Sequence, residues 1–296
     1  MRTRPTLTWE ATDDPLPRTD RLDEVVDIVR EGRVAVLSGA GLSTESGIPD
    51  YRGATSRHRP HTQMTYDEFM TSEDGRRRYW ARSHVGWRVI ARAHPNHGHR
   101  AVAALRSRGF VSSVITQNVD GLHQAAGIPD TVELHGSLDR VICLGCRRTS
   151  AREDLHERLA AANPHFTATA TRVNPDGDVE LPADVVREFR VVDCAACGTG
   201  VLKPDVVFFG ESVPKPRVEL CYRLVDEARA LLVLGSSLAV MSGLRFVKHA
   251  AKTGKPVLII NQGITRGDPH ATVRVDRPLG VALAELVTTL SAPGFP

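Results

Sequence analysis

The sequence predicts an α/β protein built around a parallel sheet with helices on both faces. Apolar runs such as 34–37 and 230–234 do not alternate with polar residues, which indicates strands buried on both faces. Segments with helical spacing of apolar residues lie between these runs, as in a sheet with crossover helices. The chain has 296 residues, 41% of them hydrophobic, and is therefore long enough to bury a large core.

Strands and helices alternate from residue 20 onward. Asp20 is expected to cap a first helix, in which Leu22, Val25 and Val29 recur at helical spacing and which Gly32 ends. Strands are predicted at 34–37, 110–115, 230–234 and 257–260, and helices at about 97–108, 243–252 and 278–290. This alternation predicts a Rossmann-like fold that the last helix closes.

Two segments interrupt the alternation and are predicted to be insertions. Residues 53–92 are rich in arginine, histidine and aromatic residues and are expected to form a loop and a helical insertion. Residues 138–200 contain two pairs of cysteines and are expected to form a small module. The predicted division is a flexible arm at 1–19, a discontinuous Rossmann-like domain at 20–52, 93–137 and 201–296, and the two insertions.

The cysteine spacing predicts one structural zinc ion. Cys143 and Cys146 form one Cys-x-x-Cys pair, Cys194 and Cys197 form another, and 47 residues separate the two pairs. Four thiolates close a tetrahedral site and leave no open position for catalysis. A redox Cys-x-x-Cys is the alternative, although two copies make it less favoured. Cys221 lies on a predicted helix and is expected to be a buried thiol.

Composition and termini restrict the class of protein further. The net charge of +3 gives no support for a nucleic-acid partner. The apolar run 230–234 is too short to cross a bilayer, and the first 20 residues lack the apolar core of an export signal. The sequence therefore predicts a cytoplasmic protein that binds neither nucleic acid nor membrane, and it suggests a monomer because no self-pairing surface is evident.

A glycine-rich turn follows the first strand. Gly39-Ala40-Gly41 is expected to start a helix and to point backbone N–H groups and the positive helix end toward a phosphate. The dinucleotide-binding fingerprint needs a third glycine where Thr44 stands, and about twenty positions later there is no convincing acidic residue for a ribose hydroxyl. A dinucleotide site is predicted, and a tight turn without a ligand stays open as the alternative.

Polar residues follow three of the predicted strands. The stretches 116–123, 235–237 and 261–263 carry amides, hydroxyls and a carboxylate where parallel strands end, which is where ligands bind in open α/β sheets. His135 also follows a short apolar strand, and it is a candidate general base. A structural role for this histidine is the alternative that its position alone leaves open.

Taken together and in order, these segments resemble the sirtuins, the NAD-dependent protein deacylases. The resemblance extends over about residues 20–290 and rests on 39–52, 116–123, 133–136, the cysteine pairs, 203–211, 235–237 and 261–263. The contexts of Cys143, of 202–210 and of 78–82 are similar to the class II branch of that family. The resemblance implies transfer of an acyl group from protein lysine to ADP-ribose, with release of nicotinamide and O-acyl-ADP-ribose.

The resemblance also implies roles for individual residues. His135 would be the general base, with Asn118 and Asp120 beside it in the catalytic site. NAD would contact the glycine turn, the segment after it and the polar strand ends, namely Gly39, Ala40, Gly41, Thr44, Asp50, Tyr51, Arg52, Gln117, Asn118, Asp120, Gly235, Ser236, Ser237, Asn261, Gln262, Gly263 and Leu279. The acyl-lysine peptide would contact a strand edge at 206–211 and one residue opposite, namely Val207, Phe208, Phe209, Gly210, Glu211 and Val240. The loop after Arg52 would cover the cofactor.

The loop 53–60 departs from the family pattern because it has no aromatic residue, which efficient deacetylases of the family commonly carry there. The acyl group therefore stays open. Mono-ADP-ribosyl transfer, an NAD-binding regulatory protein with weak turnover and a zinc-ribbon adaptor are the alternatives to deacylation.

Overall fold

The computed structural model describes residues 19–51, 63–170 and 173–292. Its helices are α1 (Asp23–Arg30), α2 (Tyr66–Thr71), α3 (Glu73–Ile90), α4 (His97–Ser107), α5 (Leu122–Ala125), α6 (Arg152–Ala162), α7 (Ala183–Arg187), α8 (Lys215–Glu227), α9 (Met241–Lys252) and α10 (Leu279–Ser291). Its strands are β1 (Val34–Ser38), β2 (Val111–Thr116), β3 (Val132–Glu133), β4 (Gly136–Cys143), β5 (Thr149–Ala151), β6 (Leu202–Val206), β7 (Ala230–Leu234), β8 (Val257–Ile260) and β9 (Val273–Val275). Almost all of the predicted arm, residues 1–18, lies outside the described residues, as does the loop 52–62.

The main sheet confirms the predicted fold class. Six parallel strands lie in the order β3-β2-β1-β7-β8-β9, which is the doubly wound order of a Rossmann-like sheet. Every residue of β1, β7 and β8 is buried, because apolar clusters cover both faces of the sheet. The strand order reverses between β1 and β7, so the loops after these two strands open a crevice.

The first helix starts later than expected. Asp20 does not cap it; α1 begins at Asp23, and Leu22 occupies the capping position without a side-chain hydrogen bond. Leu22 is 2% exposed and lies in the same apolar cluster as Val25 and Val29. Burial of this face therefore fixes where the helix starts, and a polar cap is not needed to do so.

A second, smaller sheet contains β5, β4 and β6 in an antiparallel arrangement. The predicted division assigned residues from 201 onward to the Rossmann-like domain, whereas β6 pairs with β4 in this small sheet. Trp80 of α3 donates to the carbonyl of Leu202 at 3.2 Å, and the two insertions share one apolar cluster. The division into domains stays a prediction. Within the described ranges, each helix is too short or too polar to cross a lipid bilayer.

Candidate active site

One cleft of about 1560 Å³ lies at the carboxyl ends of β1, β2 and β7 and extends to the small sheet. It gathers every residue predicted to bind cofactor or substrate or to act in catalysis, apart from Arg52, which lies outside the described residues. These are Gly39, Ala40, Gly41, Thr44, Asp50, Tyr51, Gln117, Asn118, Asp120, His135, Val207, Phe208, Phe209, Gly210, Glu211, Gly235, Ser236, Ser237, Val240, Asn261, Gln262, Gly263 and Leu279. Their individual roles stay predictions.

The glycine turn differs from the expected helix start. Residues 40–46 form two short 3-10 turns, Ala40–Leu42 and Thr44–Ser46, and Gly47 ends the second in the left-handed conformation at φ +85°. The N–H groups of Gly39 and Gly41 donate at 2.9 Å to the carbonyls of Leu234 and Gly235. The last residue of β7 and the first residue after it therefore accept from two of the N–H groups that were expected to face a phosphate.

Asn118 and Asp120 are joined by a residue of the glycine turn. Asn118 Nδ2 donates to the Gly39 carbonyl at 3.1 Å and to Ser43 Oγ at 3.0 Å, so its Oδ1 remains to act as an acceptor. Ser43 Oγ in turn donates to Asp120 Oδ2 at 2.6 Å. Burial raises the pKa of Asp120, while Ser43 and the N–H of Leu122 oppose that change by hydrogen bonding to the carboxylate.

His135 has a hydrogen-bond partner at each ring nitrogen. Nδ1 lies 2.9 Å from the carbonyl oxygen of Gln117, which can only accept, so Nδ1 carries the proton. Nε2 therefore bears the lone pair of the neutral ring and accepts from Ser242 Oγ at 2.8 Å. Burial lowers the pKa of His135 to about 4, the Gln117 carbonyl opposes this, and the charge of Arg217 lowers it further. The imidazole is neutral near pH 7, as a general base must be.

The predicted substrate-binding edge at 206–211 is only partly a strand. β6 ends at Val206, and the next residues form an irregular segment, called here the strap (207–211). The N–H of Val207 donates to the His135 carbonyl at 2.8 Å, and the Phe209 carbonyl accepts from Tyr66 at 2.9 Å. The first contact extends the pairing of β6 to the residue before β4, and the second attaches the strap to the first residue of α2.

An ion pair between Lys203 and Glu211 fixes the end of the strap to β6. Lys203 is 4% exposed, and its Nζ lies 2.9 Å from Glu211 Oε2, which also accepts from the N–H of Phe208 at 2.9 Å. Burial lowers the pKa of Lys203, and the carboxylate of Glu211 opposes that shift. Tyr51 also contacts the strap: its ring meets that of Phe209 edge to face, with 6.2 Å between the ring centroids.

The strand end after β8 (261–263) is held by hydrogen bonds between side chains and backbone groups. Asn261 Nδ2 donates to the carbonyl of Gly263 at 3.0 Å, and the N–H of Gly263 donates to Asp276 Oδ1 at 3.1 Å. Glu45, in the glycine turn, accepts from the N–H of Gly280 at 3.1 Å and so satisfies a free donor in the first turn of α10. The neighbouring residue, Leu279, lines the cleft.

The four paired cysteines gather as predicted. Cys143, Cys146, Cys194 and Cys197 place their sulfur atoms within 4.8 Å of one another, with Cys143–Cys197 at 3.7 Å and Cys146–Cys194 at 3.8 Å. Sulfur atoms around a tetrahedral zinc ion at 2.3 Å are separated by about 3.8 Å. The N–H of Cys146 lowers the pKa of the Cys143 thiol to about 6, which favours the thiolate there. In Cys146 the N–H of Arg148 opposes burial and the neighbouring thiols, which together raise the pKa of that thiol. The cluster is consistent with a structural zinc site.

The remaining cysteine is the buried thiol that the sequence predicted. Cys221 is fully buried on α8, and burial raises its pKa to about 12. It is therefore unsuited to act as a nucleophile near neutral pH.

Ser43, Glu45 and Ser242 are among the polar residues of the cleft that sequence reasoning missed. The first two lie inside the glycine motif, so their position beside the glycines was an available signal. Ser242 had none, because a single serine near the start of a helix is common at the surface.

Comparisons with known proteins agree with this geometry. A model of the Sir2 family matches residues 39–242. NAD-dependent protein deacetylase 1 of Streptomyces coelicolor is 59% identical over 290 residues, which cover 98% of this chain and 97% of that protein. The likeness thus extends over nearly the full length of both chains.

Two similar solved structures are Sir2 complexes. One is a histidine-to-alanine Sir2 variant with a deacetylated p53 peptide and 3′-O-acetyl ADP ribose; it is 28% identical, has a TM-score of 0.72 and covers 91% of this chain and 98% of its own. The other, Sir2 with a p53 peptide and NAD+, is 27% identical, has a TM-score of 0.69 and covers the same shares. The chain belongs to the Sir2 family.

Proposed function

We propose that this protein is an NAD-dependent protein-lysine deacylase. The observation that carries the proposal is the position of His135: a neutral imidazole with its lone pair on Nε2 lies in the same cleft as the glycine turn and the strap. A general base is therefore available between a dinucleotide-binding turn and a segment suited to a peptide. Relatives named NAD-dependent protein deacetylase support the same reaction.

The residues in the cleft fit NAD. A volume of about 1560 Å³ exceeds the ~300–1,000 Å³ of an ordinary small-ligand pocket and suits a dinucleotide together with a peptide segment. Asn118 Oδ1, the Asp120 carboxylate and the Ser237 hydroxyl are polar groups of the kind that hold ribose and carboxamide. NAD, when bound, supplies ADP-ribose as the acceptor of the acyl group and releases nicotinamide.

The protein side chains then bind, orient and accept a proton. His135 takes a proton at Nε2 and keeps Nδ1–H on the Gln117 carbonyl, so the ring retains its orientation as it becomes charged. Ser43 fixes Asn118 and Asp120 relative to each other. The strap and Val240, whose backbone is extended at φ −86° and ψ 137°, offer main-chain groups to an extended peptide.

The deciding experiment incubates the protein with NAD and a panel of acyl-lysine peptides and identifies the products by mass spectrometry. O-acyl-ADP-ribose together with free lysine peptide supports deacylation, and the panel identifies the preferred acyl group. A mass gain on protein instead supports mono-ADP-ribosyl transfer. Nicotinamide release without consumption of any acyl peptide supports the regulatory alternative.

We further propose membership of the class II branch, a cytoplasmic location and a monomeric state, with acyl-lysine proteins as partners and no direct contact with nucleic acid. The four cysteines support a reducing compartment, because oxidation to disulfides would prevent zinc binding. Light scattering on the purified protein tests the monomer, and a dimer mass would contradict it.

A further inference from the structure

Ser242 contacts the nitrogen of His135 that accepts the proton. Its Oγ lies 2.8 Å from Nε2, while Nδ1 is held by the Gln117 carbonyl at 2.9 Å. We propose that Ser242 is a proton relay for His135, an inference that rests on the proposed role of His135 as base. The relay passes a proton from the cleft to Nε2 through the serine hydroxyl.

The fold directs this hydroxyl to the base. Ser242 is the second residue of α9, and the capping residue Val240 makes no side-chain hydrogen bond. A Cβ atom at Gly243 would lie 2.5 Å from Gln117 Oε1, which shows that this turn packs directly against Gln117. The first turn of α9 therefore supplies the Ser242 hydroxyl and packs against the side chain of Gln117, whose carbonyl holds the other nitrogen of the His135 ring.

A hydroxyl suits this position because it donates and accepts at once. Nε2 of the neutral ring has one lone pair, and the O–H of Ser242 occupies it. A hydroxyl entering from the cleft donates its proton to Ser242 Oγ while Ser242 gives its own proton to Nε2. The oxygen of the incoming hydroxyl keeps the electron pair of the broken O–H bond and becomes the nucleophile. Ser242 ends neutral, and the ring gains one proton and one positive charge. Afterwards Nε2–H donates back to the same oxygen.

The contact can be tested without cofactor by nitrogen-15 NMR of histidine-labelled protein. The His135 resonances are assigned by their loss in His135→Ala. In Ser242→Ala the Nε2 resonance is expected to move toward the value of an unbonded lone pair, while Nδ1 stays protonated. Thr253→Ala is the matched control, because it removes a hydroxyl just beyond the other end of α9, where Thr253 bonds the His249 carbonyl. An unchanged Nε2 resonance in Ser242→Ala would overturn the proposal.

Kinetics separate a relay from a contact that only competes with substrate. Ser242→Ala is expected to lower kcat roughly tenfold, part of the ~10²–10⁴-fold that a general base supplies, and Ser242→Thr should restore it. In a His135→Ala background the same substitution should lower kcat no further.

An equal or higher kcat in Ser242→Ala would refute the relay. Full activity of His135→Ala would instead refute the role of His135 and leave the NMR result standing. Alanine is a good helix former, so folding should persist, and thermal melting verifies this.

Discussion

Gly41 and Gly235 are in direct backbone contact across the reversal point of the sheet. The N–H of Gly41 donates to the Gly235 carbonyl at 2.9 Å, and a Cβ atom at residue 41 would lie 2.9 Å from that oxygen. Because no side chain separates them, the loops after β1 and β7 form one continuous wall of the cleft.

Gly41→Ala is therefore expected to weaken NAD binding and to cost about 1–3 kcal/mol of stability, the range of overpacking in a tight site. Isothermal titration with NAD and denaturant unfolding measure both effects. Gly109→Ala is the control: its φ of +82° brings strain of roughly 1–2 kcal/mol, but a Cβ atom there meets nothing within 4 Å. Unchanged NAD affinity in Gly41→Ala would contradict this account of the wall.

His135→Ala is expected to abolish turnover with intact folding, a loss of about 10²-fold or more, because the cleft loses its base. Product formation from NAD and acyl peptide measures the loss, and circular dichroism with thermal melting measures folding. Retained activity in a folded variant would rule out this role for His135.

Acid is expected to destabilise the protein below about pH 6.5. Burial lowers the pKa of His84 and His123 to about 3 and of His99 and His135 to about 4, from an ordinary 6.5. Between pH 4 and 6.5 these histidines bind protons in the unfolded chain but stay neutral in the folded chain. Their contribution to the free energy of unfolding is therefore complete above pH 6.5 and decreases as the pH falls. Each histidine contributes up to about 1.4 kcal/mol per pH unit.

Denaturant unfolding at several pH values measures that slope. His84→Phe should reduce the slope of unfolding free energy against pH by the contribution of about one proton. Zinc loss at low pH affects the wild type and the variant alike. An identical slope in the two proteins would show that His84 is protonated in the folded state.

Metal analysis is expected to find about one zinc per chain. Gly200→Ala should abolish it, because a Cβ atom there would overlap the Cys143 sulfur and lie 2.8 Å from that of Cys197. Gly198→Ala should retain the metal, since its Cβ atom would meet nothing within 4 Å, although its φ of +80° brings some strain. Absence of zinc in the wild type would refute the site.

Glu211→Gln is expected to raise the KM for peptide with little change in kcat, because Lys203 loses the charge that balances it beneath the strap. Breaking a fully buried pair costs about 3–5 kcal/mol, and the 24% exposure of the Glu211 side chain makes the cost here smaller. Glu31→Gln is the control, as its pair with Arg229 is 60% and 58% exposed and contributes at most about 1 kcal/mol. Equal peptide KM values in all three proteins would contradict a role for this ion pair.

Local pattern determined much of the fold. The apolar runs located β7 and β8 at their observed bounds, and β1 to within one residue. The Cys-x-x-Cys spacing identified the four sulfur ligands. These features depend on neighbours a few positions apart in the chain, and such short-range patterns are visible in the sequence itself.

Tertiary structure alone decided how the site is assembled. Ser43 lies 75 positions from Asn118, and Ser242 lies 107 positions from His135, yet each pair is hydrogen-bonded. β6 lies in the small sheet because it pairs with β4. Likewise, 3-10 turns follow Gly39 in place of a helix, where the N–H groups of Gly39 and Gly41 bond to distant residues at the end of β7. Such contacts depend on which strands become neighbours in the sheet. The order of the strands is set by burial of apolar surface over the whole chain, which no single segment of the sequence determines.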